Sequence, residues 1–321
     1  MNRDFAIECE RLSRIYRSGS IPGRGRETPA LTDLTMQVPK AVVFGLLGPN
    51  GAGKTTTIRI LSTLLAPTSG SARVLGYDVV KQAKQVRERI GFILGGDRGL
   101  YGRLTGKQNV RYFGALNRLN PKTAKRRGDE LLERVGLAAA ADTLVEEYSR
   151  GMKQRLHIAR GLLTDPEVIF MDEPTIGLDP MGAQELRQYI PELVGQGKTI
   201  LLTTHYMLEA DMLCDEIALI DHGRLVALGT PDEIKRNFSR LTIFEIVVNQ
   251  TSETLTAELS NIDGVQHVET SAEGIFQKIT IAVEAGVDAR DQIQATIGAE
   301  RVESLVVRDP TLEEAYVSIL T

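Results

Sequence analysis

Short apolar runs, each closed by a turn or by a helical pattern, divide this chain. Ala41 to Leu47 is nearly continuous in apolar residues and reads as a strand buried on both faces. Val168 to Met171 and Thr199 to Thr203 repeat that pattern, as parallel strands covered by helices do. Phe5 to Leu12 and Leu31 to Val38 read as opening strands. Ile217 to Ile220 and Leu225 to Leu228 read as a strand pair around the turn Asp221-His222-Gly223. From Leu104 to Gly161 the spacing is mainly helical, punctuated by Asn120-Pro121 and Gly136. A helix signal after Thr230-Pro231-Asp232 ends a first module near Arg240. Beyond it, Leu241 to Val248 and Phe276 to Val283 alternate as strands, and Asp288 to Ile297 and Thr311 to Leu320 read as helices. The pattern predicts an α/β domain over residues 1–240 and a small α+β domain over 241–321.

Composition supports two modules. A chain of 321 residues is long for one core. Net charge is -4, but residues 241–321 hold 14 Asp/Glu against 4 Lys/Arg, leaving 34 basic against 28 acidic in the rest. The acidic tail argues against nucleic acid as its partner, and equally well serves to keep a small domain soluble. The segment Ser18 to Arg26 is rich in Gly, Ser and Arg and reads as a solvated loop. No apolar run approaches the roughly 18 residues of a membrane span. The start, Met1-Asn2-Arg3-Asp4, does not read as a signal peptide. Cys9 and Cys214 have neither metal spacing nor disulfide logic, which fits a reducing compartment.

Chemistry enters directly after the first buried run. Gly48-Pro49-Asn50-Gly51-Ala52-Gly53-Lys54-Thr55 fits G-x-x-x-x-G-K-[ST], followed by Thr56-Thr57-Ile58 and a helical pattern. Strand, glycine loop and helix are the context of a phosphate-binding loop. The glycines let backbone N–H groups face a phosphate, and the helix N-terminus adds partial positive charge. Lys54 reaches toward β- and γ-phosphates, and the Thr55 hydroxyl is a ligand for Mg²⁺. Asp172 and Glu173 end the run Val168-Ile169-Phe170-Met171. Before Pro174 such an acidic pair also reads as a helix start. Downstream of a phosphate loop it reads as Asp172 for the metal and Glu173 for the water attacking the γ-phosphate.

In order, Gly48–Thr55, Tyr148-Ser149-Arg150-Gly151-Met152-Lys153-Gln154-Arg155, Asp172-Glu173-Pro174-Thr175, Gly177-Leu178-Asp179-Pro180 and Thr203-Thr204-His205 resemble the ATP-binding cassette of ABC transporters. The resemblance covers residues 5–237. It implies a P-loop ATPase core of mixed sheet, an antiparallel β region near the N-terminus and a helical subdomain at about residues 96–165. It also implies ATP and Mg²⁺ as cofactors. By the same resemblance, residues 48–56, Thr56 included, cradle the nucleotide, and Tyr16 stacks on adenine; a core tyrosine is the alternative. Ser149 and Gly151 face the nucleotide of a second copy, Asp179 signals across that interface, and His205 contacts the γ-phosphate and orders the water. Lys54, Glu173 and His205 are then the catalytic set.

Two departures stand out. The usual L-S-G-G-Q signature reads Tyr148-Ser149-Arg150-Gly151-Met152, a form similar to that of ABC type 2 drug and antibiotic exporters. The glutamine usual near Ile90-Gly91-Phe92 is missing; Gly95 or Gly96 takes its place, with Asp97 the nearest substitute. Leu100 to Leu104 adjoins the groove that, in the family, receives a coupling helix of the membrane partner. The tail Arg308-Asp309-Pro310-Thr311-Leu312-Glu313-Glu314-Ala315-Tyr316 resembles the C-terminal domain of daunorubicin-resistance-type ATPases. The implied protein is the ATPase subunit of a type 2 exporter, peripheral on the cytoplasmic face of the plasma membrane. It dimerises around two Mg-ATP, as a homodimer or a heterodimer, and drives a separate permease, without nucleic acid. The competing readings are a soluble ABC ATPase acting on ribosomes or DNA, and an ATP-sensing module. The substrate is not written in this chain.

Overall fold

The computed structural model describes residues 4–18, 26–94, 99–176, 178–238, 241–249, 255–273, 276–298 and 301–320. Gly19 to Gly25 of the arginine-bearing loop, Gly95-Gly96-Asp97 and Gly177 lie outside them. The chain forms two compact units, Met1–Thr230 and Pro231–Thr321.

The first unit runs β1 (Phe5–Ser18), β2 (Arg26–Pro39), β3 (Val43–Leu47), α1 (Lys54–Leu61), β4 (Ser69–Val74), β5 (Tyr77–Asp78), α2 (Ala83–Arg87), β6 (Ile90–Leu94), α3 (Gly106–Leu116), α4 (Pro121–Arg134), α5 (Arg150–Leu162), β7 (Val168–Asp172), α6 (Pro180–Gly195), β8 (Thr199–Thr204), α7 (Met207–Leu213), β9 (Glu216–Asp221) and β10 (Arg224–Gly229). Six strands form one sheet in the order β10-β9-β3-β8-β7-β6. All its pairs are parallel except β10 with β9. Every residue of β3 and β8 is buried, as continuous apolar runs require in a sheet covered on both faces. The register pairs Asp172 with Thr203 and Leu47 with Thr204, so β3, β7 and β8 finish at one edge. Ligands of parallel sheets bind beyond that edge.

A second sheet, β2-β1-β4-β5, is antiparallel. β1 and β2 outrun the sequence expectation because register shifts, with Arg11 (φ 46°) and Asp33 (φ 52°) in left-handed conformation, carry the pairing past the breaks in apolar alternation. Ile7, Leu12 and Leu34 of this sheet share a core with Phe44, Phe170 and Leu201 of the first, joined through Ile58 and Leu61 of α1. Helices α3, α4 and α5 enclose a separate core of Val110, Leu132, Val145, Tyr148 and Leu156. Their ends follow the polar punctuation. Thr105 and Gln108 form a capping box, Asn120 caps α4 ahead of Pro121, and Ser149 caps α5.

The second unit holds α8 (Pro231–Phe238), β11 (Leu241–Val248), α9 (Leu255–Ser260), β12 (Val265–Glu273), β13 (Phe276–Glu284), α10 (Arg290–Ile297), β14 (Val302–Arg308) and α11 (Leu312–Leu320). Its sheet is antiparallel, β12-β13-β11-β14, over a core of Phe244, Ile246, Leu259, Ile281, Ile293 and Ile297. The sequence pattern puts the helix after Thr230 in the first module, with a boundary at 240. Here α8 belongs to the second unit, where it packs on α11. The pattern also passes over β12 and β14, which lie at the sheet edges and lack a clean apolar face.

Candidate functional site

The phosphate-type loop leaves β3 and enters α1 at Lys54. Close approach of neighbouring backbone requires glycine at two of its positions. Gly48 has φ 153° and Gly53 φ 106°. A Cβ on Gly48 would collide with the Ile220 carbonyl oxygen, and one on Gly53 would lie 2.6 Å from the Ala30 oxygen. The β9–β10 turn, with His222 at φ 45° and Gly223 at φ 76°, seats the loop from below. The Gly223 N–H donates to the Ala52 carbonyl at 3.0 Å, and its own carbonyl accepts from Thr32 N–H at 2.8 Å.

Lys54 is 6 % exposed, and its Nζ donates to the Gly48 and Pro49 carbonyls at 2.6 and 3.1 Å. Burial lowers its pKa from the ordinary lysine value, against the opposing pull of Glu173 and Asp172. Glu173 shares a shallow cleft with Pro49, Asn50, Gly51, Gly53 and Lys54 to Thr56. The Thr55 hydroxyl and Asp172 Oδ2 face each other at 3.5 Å, two hard oxygens of the kind Mg²⁺ takes.

The loops after β7 and β8 complete the edge. Thr203 Oγ1 donates to Asp172 Oδ1 at 2.6 Å, and the Glu173 N–H donates to the Thr203 carbonyl at 3.0 Å. Glu173 adopts φ 49°, left-handed for a residue with a Cβ, which turns its carboxylate out of the strand. Its Oε1 lies 3.1 Å from His205 Nδ1. The residues the sequence named after β3, β7 and β8 therefore converge. Thr203 enters as an orienting group that sequence reading left without a role; a hydroxyl closing an apolar strand was the available signal.

The remaining candidates lie on other elements. Ser149 Oγ accepts from Met152 N–H at 3.2 Å, and Gly151 lies beside Leu178. Asp179 caps α6, accepting from Gly182 N–H at 2.7 Å. Tyr16, on β1 and 36 % exposed, has the Arg14 guanidinium 5.0 Å from its ring centre. The signature departures divide by location. Tyr148 is buried, its hydroxyl donating to Ala140 O at 2.7 Å, and Met152 packs on the same helical core. Arg150 is exposed and lines a cleft that also holds His205 and Arg187.

Comparison with known proteins gives the family. A family model described as "ABC transporter" matches residues 31–176, and one described as "ATP-binding protein DrrA1-3-like, C-terminal domain" matches residues 229–319. The chain is 44 % identical to the daunorubicin resistance ATP-binding protein DrrA3 of Streptomyces coeruleorubidus, over 90 % of each protein. The chain belongs to the ABC transporter ATP-binding proteins. As an ABC ATPase it is also 36 % identical to the doxorubicin resistance ATP-binding protein DrrA of Mycobacterium tuberculosis, over 100 % of this chain and 95 % of that one. A solved structure described as the ATP-binding subunit of an ABC transporter superposes with a TM-score of 0.63 at 30 % identity, covering 73 % of this chain and 93 % of its own. These ATPase cassettes share its mixed α/β architecture. Among the described residues, no helix of this ABC ATPase is long and apolar enough to cross a membrane.

Proposed function

We propose that this ABC ATPase powers export of a drug, antibiotic or other amphiphile through a separate type 2 membrane permease, from the cytoplasmic face of the membrane. Two copies, or this chain and a related one, close around two Mg-ATP. The observation that carries the reading is the convergence of Lys54, Thr55, Asp172, Glu173 and His205 at one sheet edge. The resistance proteins it resembles support the drug-export part.

In this reading the loop N–H groups and Lys54 bind the phosphates. Thr55 and Asp172 would hold Mg²⁺, which would supply positive charge against that developing on the transferring phosphoryl group. Glu173 accepts a proton from the attacking water or orients it. His205, in hydrogen-bond reach of Glu173, holds the γ-phosphate side of the water. Tyr16 carries the adenine ring, while Ser149, Gly151 and Asp179 complete the site of the second copy.

The sequence at 95 and 96 is glycine, which offers no side-chain ligand where the family has its glutamine. Turnover then depends on the permease to hold the helical subdomain, since misplacement by about 1 Å can lower a rate roughly a hundredfold. Pull-down from native membranes with the full chain as bait is expected to recover a hydrophobic partner of about six spans, sized for an α-helical permease. The recovered complex should hydrolyse Mg-ATP faster per ATPase than the isolated chain. Recovery of ribosomes or DNA, with no membrane partner, would replace the exporter reading by that of a soluble ABC ATPase.

A further inference from the structure

Glu209, on α7, is a buried carboxylate that the reading above leaves without a role. It is 5 % exposed, and a carboxylate is that deeply buried only when something compensates it. Its Oε2 accepts two hydroxyl hydrogen bonds, from Thr204 Oγ1 at 2.9 Å and from Thr175 Oγ1 at 3.2 Å. Thr204 directly precedes His205, and Thr175 lies two residues after Glu173. Its other oxygen is buried with no hydrogen-bond partner, so the side chain is held by these two hydroxyls. Glu209 is among the residues that line the same cleft as His205.

The Thr204 hydroxyl does a second job. It accepts from the Tyr206 N–H at 3.0 Å, closing a small turn around His205. A hydroxyl has one proton. Glu209 takes it, which leaves the oxygen lone pairs aimed at Tyr206. Without that acceptor the hydroxyl is free to rotate, and both flanks of His205 lose their common anchor. Thr175 is tied to the same oxygen from the other loop.

We infer that Glu209 is a positioning residue for ATP hydrolysis. One carboxylate oxygen gathers the loop bearing Glu173 and the loop bearing His205, and so sets their 3.1 Å approach. The inference rests on the proposed roles of Glu173 and His205. The phosphate loop and Lys54 are not part of this linkage. Nucleotide affinity and hydrolysis rate should therefore separate.

The test uses the full-length chain, both purified alone and in the complex recovered with its membrane partner. Single-turnover hydrolysis of ATP with protein in excess is measured beside equilibrium binding of a fluorescent ATP analogue and thermal melting. Glu209→Ala should slow the hydrolytic step about 10- to 100-fold, in line with a misplaced water. Binding of the analogue should stay within about twofold. Glu209→Gln, whose amide oxygen accepts both hydroxyls, should return to within about threefold of the natural rate. Thr204→Val and Thr175→Val should each slow hydrolysis, and neither should slow Glu209→Ala further, as expected for groups acting as one unit. A natural rate in Glu209→Ala overturns the inference. So does a parallel fall of rate, binding and melting temperature that Glu209→Gln does not rescue, because that is a folding defect. Glu173→Gln and His205→Ala run alongside. If those two hydrolyse normally, the reading of the site itself falls, whatever Glu209 does.

Discussion

Two charge clusters, one in each unit, are built on opposite plans. In the second unit Arg308 donates Nε and Nη2 to Glu245 Oε1 at 3.0 and 2.9 Å, and Nη1 and Nη2 to Glu314 at 2.9 and 3.0 Å. Nη1 also meets the Asp309 carbonyl at 3.0 Å, and Lys278 pairs with the second Glu245 oxygen at 3.0 Å. Hydrogen bonding from Glu314 raises the Arg308 pKa, against burial and with help from Glu245. At the nucleotide edge, by contrast, Asp172 Oδ2 meets Thr55 only at 3.5 Å, Lys54 leans on backbone carbonyls, and Glu173 sits on a left-handed backbone. Both clusters are rich in charge. Only the Arg308 cluster is internally closed, and a closed cluster holds elements together, whereas one with loose valences is suited to a ligand.

The largest effect should come from Glu173→Gln. Turnover should fall by about a thousandfold while ATP binding persists, since an amide cannot take a proton. A normal rate in a stopped-flow phosphate assay would put the nucleotide edge on the same footing as the closed cluster. Lys54→Ala should lower turnover by roughly 100- to 1,000-fold and weaken ATP binding as well; isothermal titration separates the two losses. Arg308→Ala strands Glu314 and leaves Glu245 only its Lys278 partner, and a loss of about 2–3 kcal/mol is expected after allowing for partial exposure. Denaturant melts should locate that loss in the second unit with ATP affinity unchanged. A tenfold change in affinity would show that the closed cluster also serves the nucleotide.

The same cluster predicts a pH dependence. Burial pushes the Glu314 pKa up, but the hydrogen bonds and charge of Arg308, with Thr311, more than offset it, and the net shift is down. Glu245 is lowered likewise, by Lys278 and Arg308 against burial. A lowered folded pKa means stability that is complete above the ordinary carboxylate value of about 4.3 and is lost as pH falls below it. Melting temperature should drop below about pH 4.3, with a shallower slope in Arg308→Ala. The smallest expected effect is Tyr16→Ala, a several-fold rise in half-saturating ATP from lost stacking, measured in the same turnover assay.

What the sequence made legible was local. Gly48 to Thr55 is one contiguous string whose strand and helix lie on either side of it, so both the loop and its context could be read directly. β7, β8 and β9 were visible as apolar runs, because burial on both faces leaves few polar residues to blur them, and the half-exposed edge strand β10 was visible from the turn that precedes it. Pairings across the chain were not visible. Arg308 meets Glu245 across 63 positions, and Glu209 reaches Thr175 across 34. Nothing in a string orders β10-β9-β3-β8-β7-β6. Edge strands β12 and β14 escaped notice because solvent reaches residues on both of their faces. Tyr148 and Met152 read as odd letters in a nucleotide-facing motif. The structure shows them as core residues of the helical subdomain.

The hairpin under the phosphate loop has a consequence for the order of events in the cell. A ribosome releases β3 and its glycine loop while β8 and β9, the strands on either side of β3, are still unmade. Until Gly223 has emerged, Ala52 lacks the N–H that seats it and Gly48 lacks the Ile220 carbonyl that it packs against. Parallel pairing between distant segments is slow to form. A nascent chain halted before residue 223 thus carries the complete loop sequence without the shelf that shapes it. Affinity for nucleotide should therefore arrive late in synthesis, when the first unit's last hairpin closes.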